Sequence, residues 1–453
     1  MRSPWRQAFH LEPPTGWLND PNGLCWFGGL YHVFFQYCPE SASGSGRKLW
    51  GHYESPDLVH WRFAGAPLAP DTPWDRDGVY SGSALVKDGQ LQLFYTGNVK
   101  QPGDYDYITA GREGNVLRVV SPDGRTMGPK QLLLAPRDYP GFCSCHVRDP
   151  KVWRDGRGFW MVLGARSLDS RGSVLLYRSA DAEHWQYAAD IRSEEPFGYM
   201  WECPDYFTLD GRGILSVSPQ GLAHEQTRCQ NIYQSGWFPV QGPLESGRLG
   251  AFTEWDLGFD FYAPQTFLTP DGRRLLIAWM GLPDSPYANP TVAFGYQHCL
   301  TLPREVFLDR EGRLCQRPAR ELTALCGLAQ IRAESAALPF RLCAETAGSF
   351  RLTLGGGLTL QYDTGEGLFS LRFTDPVLGC GRTERFARIS RVRSLELLAD
   401  TSSLEIFLDG GAVVLSTRFY PAQREISLVC EGLSPVLQPM CIPEMNIEGA
   451  AAT

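Results

Sequence analysis

The chain has 453 residues, 43% of them hydrophobic and 20% charged, with a net charge of -8. That length is ample for a large core and two or three domains, and the acidic balance excludes nucleic acid or an anionic membrane surface as the main partner. No run approaches the roughly 18 apolar residues of a membrane span. Met1-Arg2-Ser3-Pro4-Trp5-Arg6-Gln7 has basic residues but no following apolar stretch, so no signal peptide is read there. The 13 cysteines are odd in number and scattered, and Cys143-Ser144-Cys145 has the wrong spacing for a Cys-x-x-Cys pair. The expectation is reduced thiols in a cytoplasm, with no metal and no cofactor.

In chain order, five short apolar runs each follow a Gly-containing turn: Leu30–Phe35, Leu91–Tyr95, Phe159–Leu163, Ile214–Val217 and Leu275–Trp279. The turn markers Gly29, Gly89, Gly156, Gly211 and Gly272 are separated by 60, 67, 55 and 61 residues. A strand, a Gly turn and a second strand read as a hairpin. Five hairpins at a near-constant period, with room for four strands in each, predict a five-bladed β-propeller. Ser55-Pro56-Asp57-Leu58-Val59-His60-Trp61 is echoed 124 residues later by Ser179-Ala180-Asp181-Ala182-Glu183-His184-Trp185. Both are read as a structural turn followed by a packing aromatic, not as metal sites.

The marked repeat stops near residue 318. Glu321–Leu325 reads as a short helical linker, followed by alternating runs at Phe350–Leu354, Leu358–Tyr362, Ser394–Leu398 and Leu404–Leu408, and by an Asp409-Gly410-Gly411 turn into Ala412–Leu415. Alternation with short turns predicts antiparallel sheets with one buried face, a β-sandwich. The expected protein is all-β: a propeller over 1–318, a linker over 319–335 and a sandwich over 336–453. A homo-oligomer through the sandwich is left open.

In a propeller the innermost strands line one channel, so residues at similar offsets before each Gly turn should ring one mouth. Asp20, Ser81, Asp149, Glu202 and Tyr262 lie 9, 8, 7, 9 and 10 residues before their markers. Three of the five are carboxylates, and charge in so crowded a place is costly without a purpose. Convergent carboxylates with aromatic walls suit glycoside hydrolysis, in which one attacks or stabilises the anomeric carbon and another protonates the leaving oxygen. A Ca²⁺ or Mg²⁺ site is the chemical competitor.

Trp17-Leu18-Asn19-Asp20-Pro21-Asn22-Gly23, Phe35-Gln36-Tyr37, Trp50-Gly51-His52, Tyr80-Ser81-Gly82-Ser83, Arg148-Asp149-Pro150, Trp201-Glu202-Cys203-Pro204-Asp205 and Asp260–Phe267 together resemble the motifs of glycoside hydrolase family 32. Leu300–Glu305 resembles the end of that family's catalytic domain, and Arg418-Phe419-Tyr420-Pro421 lies in a sandwich like its second domain. The resemblance implies a retaining β-fructofuranosidase acting on sucrose, sucrose 6-phosphate or short fructooligosaccharides, with a small sugar as its partner. It implies Asp20 as nucleophile, Asp149 as transition-state stabiliser and Glu202 as general acid/base. Asn19, Gln36, Trp50, Ser81, Arg148, Tyr262 and Trp279 become the sugar-binding residues, although Ser81, Arg148, Trp50 and Trp279 each also have a structural reading. Asp20, in a turn rich in donors, is expected to stay ionised, and Asp149 to stay charged if Arg148 or sugar hydroxyls satisfy it. Cys203 reads as a small buried residue. A fructosyltransferase and a non-catalytic carbohydrate-binding propeller are the alternatives.

One departure is the loop Cys38–Leu49, which is Gly/Ser-rich, lacks the additional Trp of many relatives and ends in Arg47-Lys48. It reads first as a solvated loop; the alternative is a basic pair that meets a sugar phosphate.

Overall fold

The computed structural model describes residues 3–331 and 334–443. Met1 and Arg2 of the N-terminal reading, residues 332 and 333 of the expected linker and residues 444–453 of the expected second domain lie outside these. The chain is nearly all β, and the single α-helix among the described residues is four residues long, Pro376–Gly379. No helix there is long and apolar enough to cross a membrane. All thirteen cysteines are free.

Residues 16–318 form five sheets in succession. The first contains β1 (Gly16–Phe27), β2 (Leu30–Cys38), β3 (Leu49–Ser55) and β4 (Arg62–Phe63). The second contains β5 (Val79–Lys87), β6 (Gln90–Lys100), β7 (Arg112–Ser121) and β8 (Gln131–Leu134). The third is β9 (Cys143–Asp155), β10 (Gly158–Ser167), β11 (Gly172–Ser179) and β12 (Gln186–Ile191). The fourth is β13 (Met200–Leu209), β14 (Arg212–Gln220) and β15 (Gly236–Gln241), with β16 (Arg248–Leu249) and β17 (Thr253–Glu254) both pairing β15. β18 (Tyr262–Leu268) and β19 (Arg274–Met280) open the fifth. β20 (Tyr296–Gln297) leaves it to pair with β1, and β21 (Cys299–Leu300), β22 (Arg304–Leu308) and β23 (Leu314–Pro318) complete it.

The five Gly turns join the first two strands of the five sheets, as the spacing predicts. In three of them both central residues have positive φ: Gly28 and Gly29 (57° and 83°), Asp88 and Gly89 (53° and 73°), and Asp210 and Gly211 (49° and 80°). That is the type I′ geometry whose twist matches antiparallel strands. The Ser-x-Asp echoes are turns too. Asp57 and Asp181 accept backbone N–H bonds from His60 and His184, whose rings stay exposed, while Trp61 is buried. A third copy, Ser121-Pro122-Asp123-Gly124, repeats the bonding after β7.

The first strands form a ring: β1 packs on β5, β5 on β9, β9 on β13, β13 on β18, and β18 back on β1. Buried apolar side chains fill each junction. Phe34, Trp50 and Tyr95 lie between the first two sheets, and Leu18, Phe35, Ile277 and Trp279 lie between the fifth and the first. Each large apolar side chain so buried contributes about 1.5–3 kcal/mol. Polar bonds stitch the same ring. Asn22 accepts from Gly82 N (3.0 Å), Ser83 donates to the Pro150 carbonyl (2.8 Å), and Asp205 takes the Lys151 ammonium (3.0 Å) and Thr266 N (2.7 Å). Closure is made by β20, whose Tyr296 and Gln297 pair in parallel with Gly16 and Trp17.

Arg320–Leu325 is a 3-10 turn where a short helix is expected. Beyond it lie two six-stranded sheets enclosing Phe340, Leu352, Leu360, Phe369, Leu397 and Ile406. The expected strands are present, and Leu368–Phe373, Glu384–Arg388 and Glu425–Glu431 add to them. Buried ion pairs tie this part to the ring. Arg304 reaches Glu405 (2.7 Å) and Asp256 (3.1 Å), and His10 lies between Asp400 (2.8 Å) and Glu405 (2.9 Å). Removing one member strands buried charge, so Arg304→Ala is expected to cost about 3–5 kcal/mol. Calorimetry reads this as a lower Tm.

Candidate active site

All five first strands carry the same irregularity. Asn19 and Asp20 oppose the single residue Gln36, because Leu18 pairs Tyr37 and Pro21 pairs Phe35. In the same way Tyr80 and Ser81 face one residue of β6, Asp149 and Pro150 one of β10, Cys203 and Pro204 one of β14, and Ala263 and Pro264 one of β19. A β-bulge of two residues against one bends a strand and re-aims its side chains. In the last three sheets the first bulge residue has positive φ: Asp149 (65°), Cys203 (46°) and Ala263 (50°). Non-glycine residues there store strain, typical of sites where the surrounding fold dictates the backbone.

The bulges correct the equivalence drawn from turn offsets. Asp20 and Ser81 are second bulge residues, Asp149 is a first one, and Glu202 and Tyr262 are the last paired residues before theirs. The five ring one mouth at three successive levels instead of one. Variable hairpin lengths hid the difference.

These side chains form two hydrogen-bonded groups, one around Asp20 and one around Glu202, linked by the Arg148–Asp149 ion pair at 3.9 Å. Ser81 Oγ donates to Asp20 Oδ2 (2.5 Å) and accepts from Gln36 Nε2 (2.7 Å). Asn19 Nδ2 donates to Asp20 Oδ1 (3.2 Å) and Gln36 Oε1 (2.9 Å), and Trp17 Nε1 donates to Asn19 Oδ1 (2.8 Å). Asn22 Nδ2 donates to the Asp20 carbonyl (3.1 Å), so the Asn-Asp-Pro-Asn turn fixes its own aspartate. Arg148 donates to Glu202 Oε1 through Nε (3.2 Å) and Nη2 (2.5 Å), while Tyr262 Oη (2.6 Å) and Gln220 Nε2 (2.8 Å) donate to Oε2. Cys203 N donates to Asp149 Oδ2 (2.9 Å), and its Sγ lies 3.6 Å from both Asp149 Oδ2 and Asp20 Oδ2. Cys203 is therefore buried and small, as expected, but it also joins the two aspartates. Gln220, Trp17 and His146 were not among the expected site residues; only Trp17 carried a signal, its place in the Asn-Asp-Pro-Asn motif.

Trp279 is buried, edge-on to Trp17 and Tyr262. Trp50 departs from the expectation. It is 0% exposed, wedged against Phe34 and Tyr95 between two sheets, and its Nε1 donates to the Tyr80 carbonyl (3.0 Å). No face is left for a sugar, so its role is packing. The basic pair divides: Arg47 is exposed, whereas the Lys48 ammonium turns inward, donating to the Gly44 carbonyl (3.1 Å) and lying 5.1 Å from the Trp17 ring centre.

Arg148 lies against two of the three carboxylates, Glu202 (2.5 Å) and Asp149 (3.9 Å). Burial raises Asp20 above its ordinary value; the Ser81 bond opposes this, the field of Glu202 adds to it, and Asn19 lowers it. Burial likewise pushes Asp149 up to about 7, against the pull of Arg148 and with the push of Glu202. Both aspartates thus hold protons more readily than the turn donors alone suggest, and Asp149, expected to stay charged, titrates near neutrality. Donors surround every carboxylate in the cluster, an arrangement suited to anions; a bound cation would displace them. Among the described residues, one group has metal-like spacing, His32, His52 and Glu54. Its rings are nearly parallel (12°) and joined by a 2.9 Å N···N bond, and Glu54 is paired with Arg62 and Arg125, so a cation there would face two guanidiniums.

A closed ring of sheets with carboxylates bulged into its mouth defines a site for acid–base and nucleophilic work on a small polar substrate. The glycosyl hydrolases family 32 N-terminal domain is matched over residues 10–318 and the family's C-terminal domain over 323–438, so the chain belongs to glycosyl hydrolases family 32. It is 39% identical to the sucrose-6-phosphate hydrolase of Bacillus subtilis (strain 168), over 95% of this chain and 92% of that one. It is also 39% identical to the raffinose invertase of Escherichia coli, over 94% and 92%. Among solved structures, the sucrose-6-phosphate hydrolase of Lactobacillus gasseri superposes with a TM-score of 0.87 at 26% identity, covering 97% of this chain and 94% of that one. A family 32 β-fructofuranosidase of Bombyx mori in complex with sucrose gives 0.83 at 27% identity, covering 98% and 95%.

Proposed function

We propose that this protein is a retaining β-fructofuranosidase that hydrolyses sucrose or sucrose 6-phosphate. The observation that carries the reading is the convergence of Asp20, Asp149 and Glu202 on one mouth, in a family 32 chain similar from end to end to sucrose-6-phosphate hydrolases. Asp20 attacks the fructosyl anomeric carbon, while Glu202 gives its proton to the glycosidic oxygen as the carbon–oxygen bond breaks. Glucose, or its 6-phosphate, leaves. Glu202 then takes a proton from water, the water oxygen bonds to the anomeric carbon, and Asp20 departs as carboxylate. Asp149 binds the fructosyl hydroxyls and offsets the positive charge developing on the ring. Asn19, Gln36, Ser81, Arg148, Tyr262 and Trp279 hold sugar and carboxylates in place.

The five sheets act as the blades of a propeller within residues 1–318, supported by their ring of first strands, and a sandwich within 336–453 braces its outside through buried ion pairs. The test is fructose release from sucrose, sucrose 6-phosphate, kestose, inulin and levan, with the anomer of the first-formed fructose followed by NMR. Release of β-fructose supports the reading; inversion, or no release from any of the five, ends it.

Because Ser81 holds Asp20 down, Ser81→Ala is expected to move the acid limb of the kcat/KM profile to higher pH. That limb follows ionisation of the nucleophile in the free enzyme, and removing a bond to the charged form raises its pKa. An unmoved limb would show that the bond does not tune Asp20.

A further inference from the structure

Outward from Arg148, the start of β9 is flanked by two more arginines. Arg112 opens β7, two residues before Gly114, whose missing Cβ would lie 2.2 Å from the Val147 carbonyl oxygen. Alternation along the strand therefore turns Arg112 toward the segment before Val147. Arg166 lies on β10, between Ala165, which pairs Val147, and Ser167, which pairs Cys143. Between them His146 donates through Nε2 to the Tyr107 carbonyl (3.0 Å) and accepts from Arg148 Nη1 (2.6 Å). Burial, helped by the fields of Arg148 and Arg112 and least by that of Arg166, presses His146 down to about 3, so it stays neutral.

Charge here is unbalanced. Arg148 has Glu202, but neither Arg112 nor Arg166 has a salt-bridge partner among the described residues. Each has a buried Nε without a hydrogen-bond partner. Arg166 Nη2 is bonded only to Ser170 Oγ (3.0 Å), and its guanidinium covers the Tyr199 ring at 4.8 Å. A guanidinium with a desolvated, unused N–H is costly unless an anion completes it, and the planar fork suits a phosphate. The place matters as much as the charge. Arg112 feels the field of Glu202, the residue that protonates the leaving sugar. In sucrose 6-phosphate the phosphate is carried by that leaving glucosyl unit.

Resting on the function proposed above, we propose that Arg112 and Arg166 form a phosphate-reading end of the leaving-group site and make a phosphorylated disaccharide the preferred substrate. Lys48 is tied to Gly44 on the Trp17 side of the mouth and does not serve this purpose. The experiment is kcat/KM for sucrose and for sucrose 6-phosphate in the wild type, Arg112→Ala, Arg166→Ala, Arg112→Lys and the pair Arg47→Ala/Lys48→Ala. The wild type is expected to favour the phosphate. Each arginine-to-alanine change should lower the ratio of the two values by about 10–30-fold, the scale of a charge-assisted bond. Arg112→Lys should recover part of the ratio, and the Arg47/Lys48 pair should leave it unmoved. A general loss of folding lowers both substrates together and cannot mimic a changed ratio. The inference is overturned if the wild type shows no preference, if the ratio survives both arginine changes, or if it collapses in the Arg47/Lys48 pair. A wild type that releases fructose from neither sugar overturns the β-fructofuranosidase reading itself, and this inference with it.

Discussion

Asp20→Asn is expected to lower kcat for fructose release by about 10⁵-fold, the scale of losing a nucleophile that acts in concert with its neighbours. Asn is nearly isosteric and keeps one acceptor, which serves Ser81 Oγ; the long bond from Asn19 Nδ2 is given up, while Asn19 keeps its bond to Gln36. It also relieves the repulsion from Glu202 that helps raise Asp20. The variant should therefore melt no lower than the wild type while losing its chemistry. Sucrose turnover and a thermal melt on the same preparation separate the two effects. A variant within tenfold of wild type would remove Asp20 from the mechanism.

Glu202→Gln carries the second large effect, about 10³-fold in kcat, the usual scale of general acid/base catalysis. The amide oxygen still accepts from Arg148, while its NH2 takes the position that accepted from Tyr262; the side chain has no acidic proton to give and no charge for Arg148 to balance. The loss should depend on the leaving group. A fructosyl donor whose departing group needs no proton should form the covalent intermediate at a much smaller penalty, leaving its hydrolysis slow. A burst of leaving group followed by a slow steady state is the expected trace. Equal losses for good and poor leaving groups would mean that Glu202 is not the proton donor.

The sequence announces the five hairpins because glycine at the turns answers a backbone requirement that does not depend on the rest of the fold. Gly89 and Gly211 take positive φ in turns that only a few residues tolerate. The meeting of Asp20, Asp149 and Glu202 was legible for the same reason, since each lies a short, countable distance before such a turn. Their depth was not. Bulges, of which β1 has a second at Gly23–Leu24, shift the count by a residue, and nothing in Arg148-Asp149-Pro150 distinguishes a first bulge residue from a paired one. Trp50 misled because an aromatic that stacks on a sugar and one that fills a seam have the same local sequence. Its burial depends on Phe34 and Tyr95, brought together only by the fold. Arg112 and Arg166 were invisible for the opposite reason: what marks them is the lack of a partner. The Ser121 turn escaped because Gly124-Arg125-Thr126 lacks the His-Trp ending of its siblings.

The parallel pairing of Tyr296–Gln297 with Gly16–Trp17 has a consequence in time. Strands about 280 residues apart in the chain must find one another to lock the start of β1, and a contact so distant closes late in folding because the loop it closes is costly to order. Asp20, the proposed nucleophile, lies three residues beyond that latch. Each of the five hairpins has local partners and can assemble early, including those carrying Asp149 and Glu202. Competence to bind and cleave a sugar must then arrive in a single late event, when the last piece of the ring captures the first. During synthesis the amino-terminal strand, made before all the others, waits longest for its final neighbour.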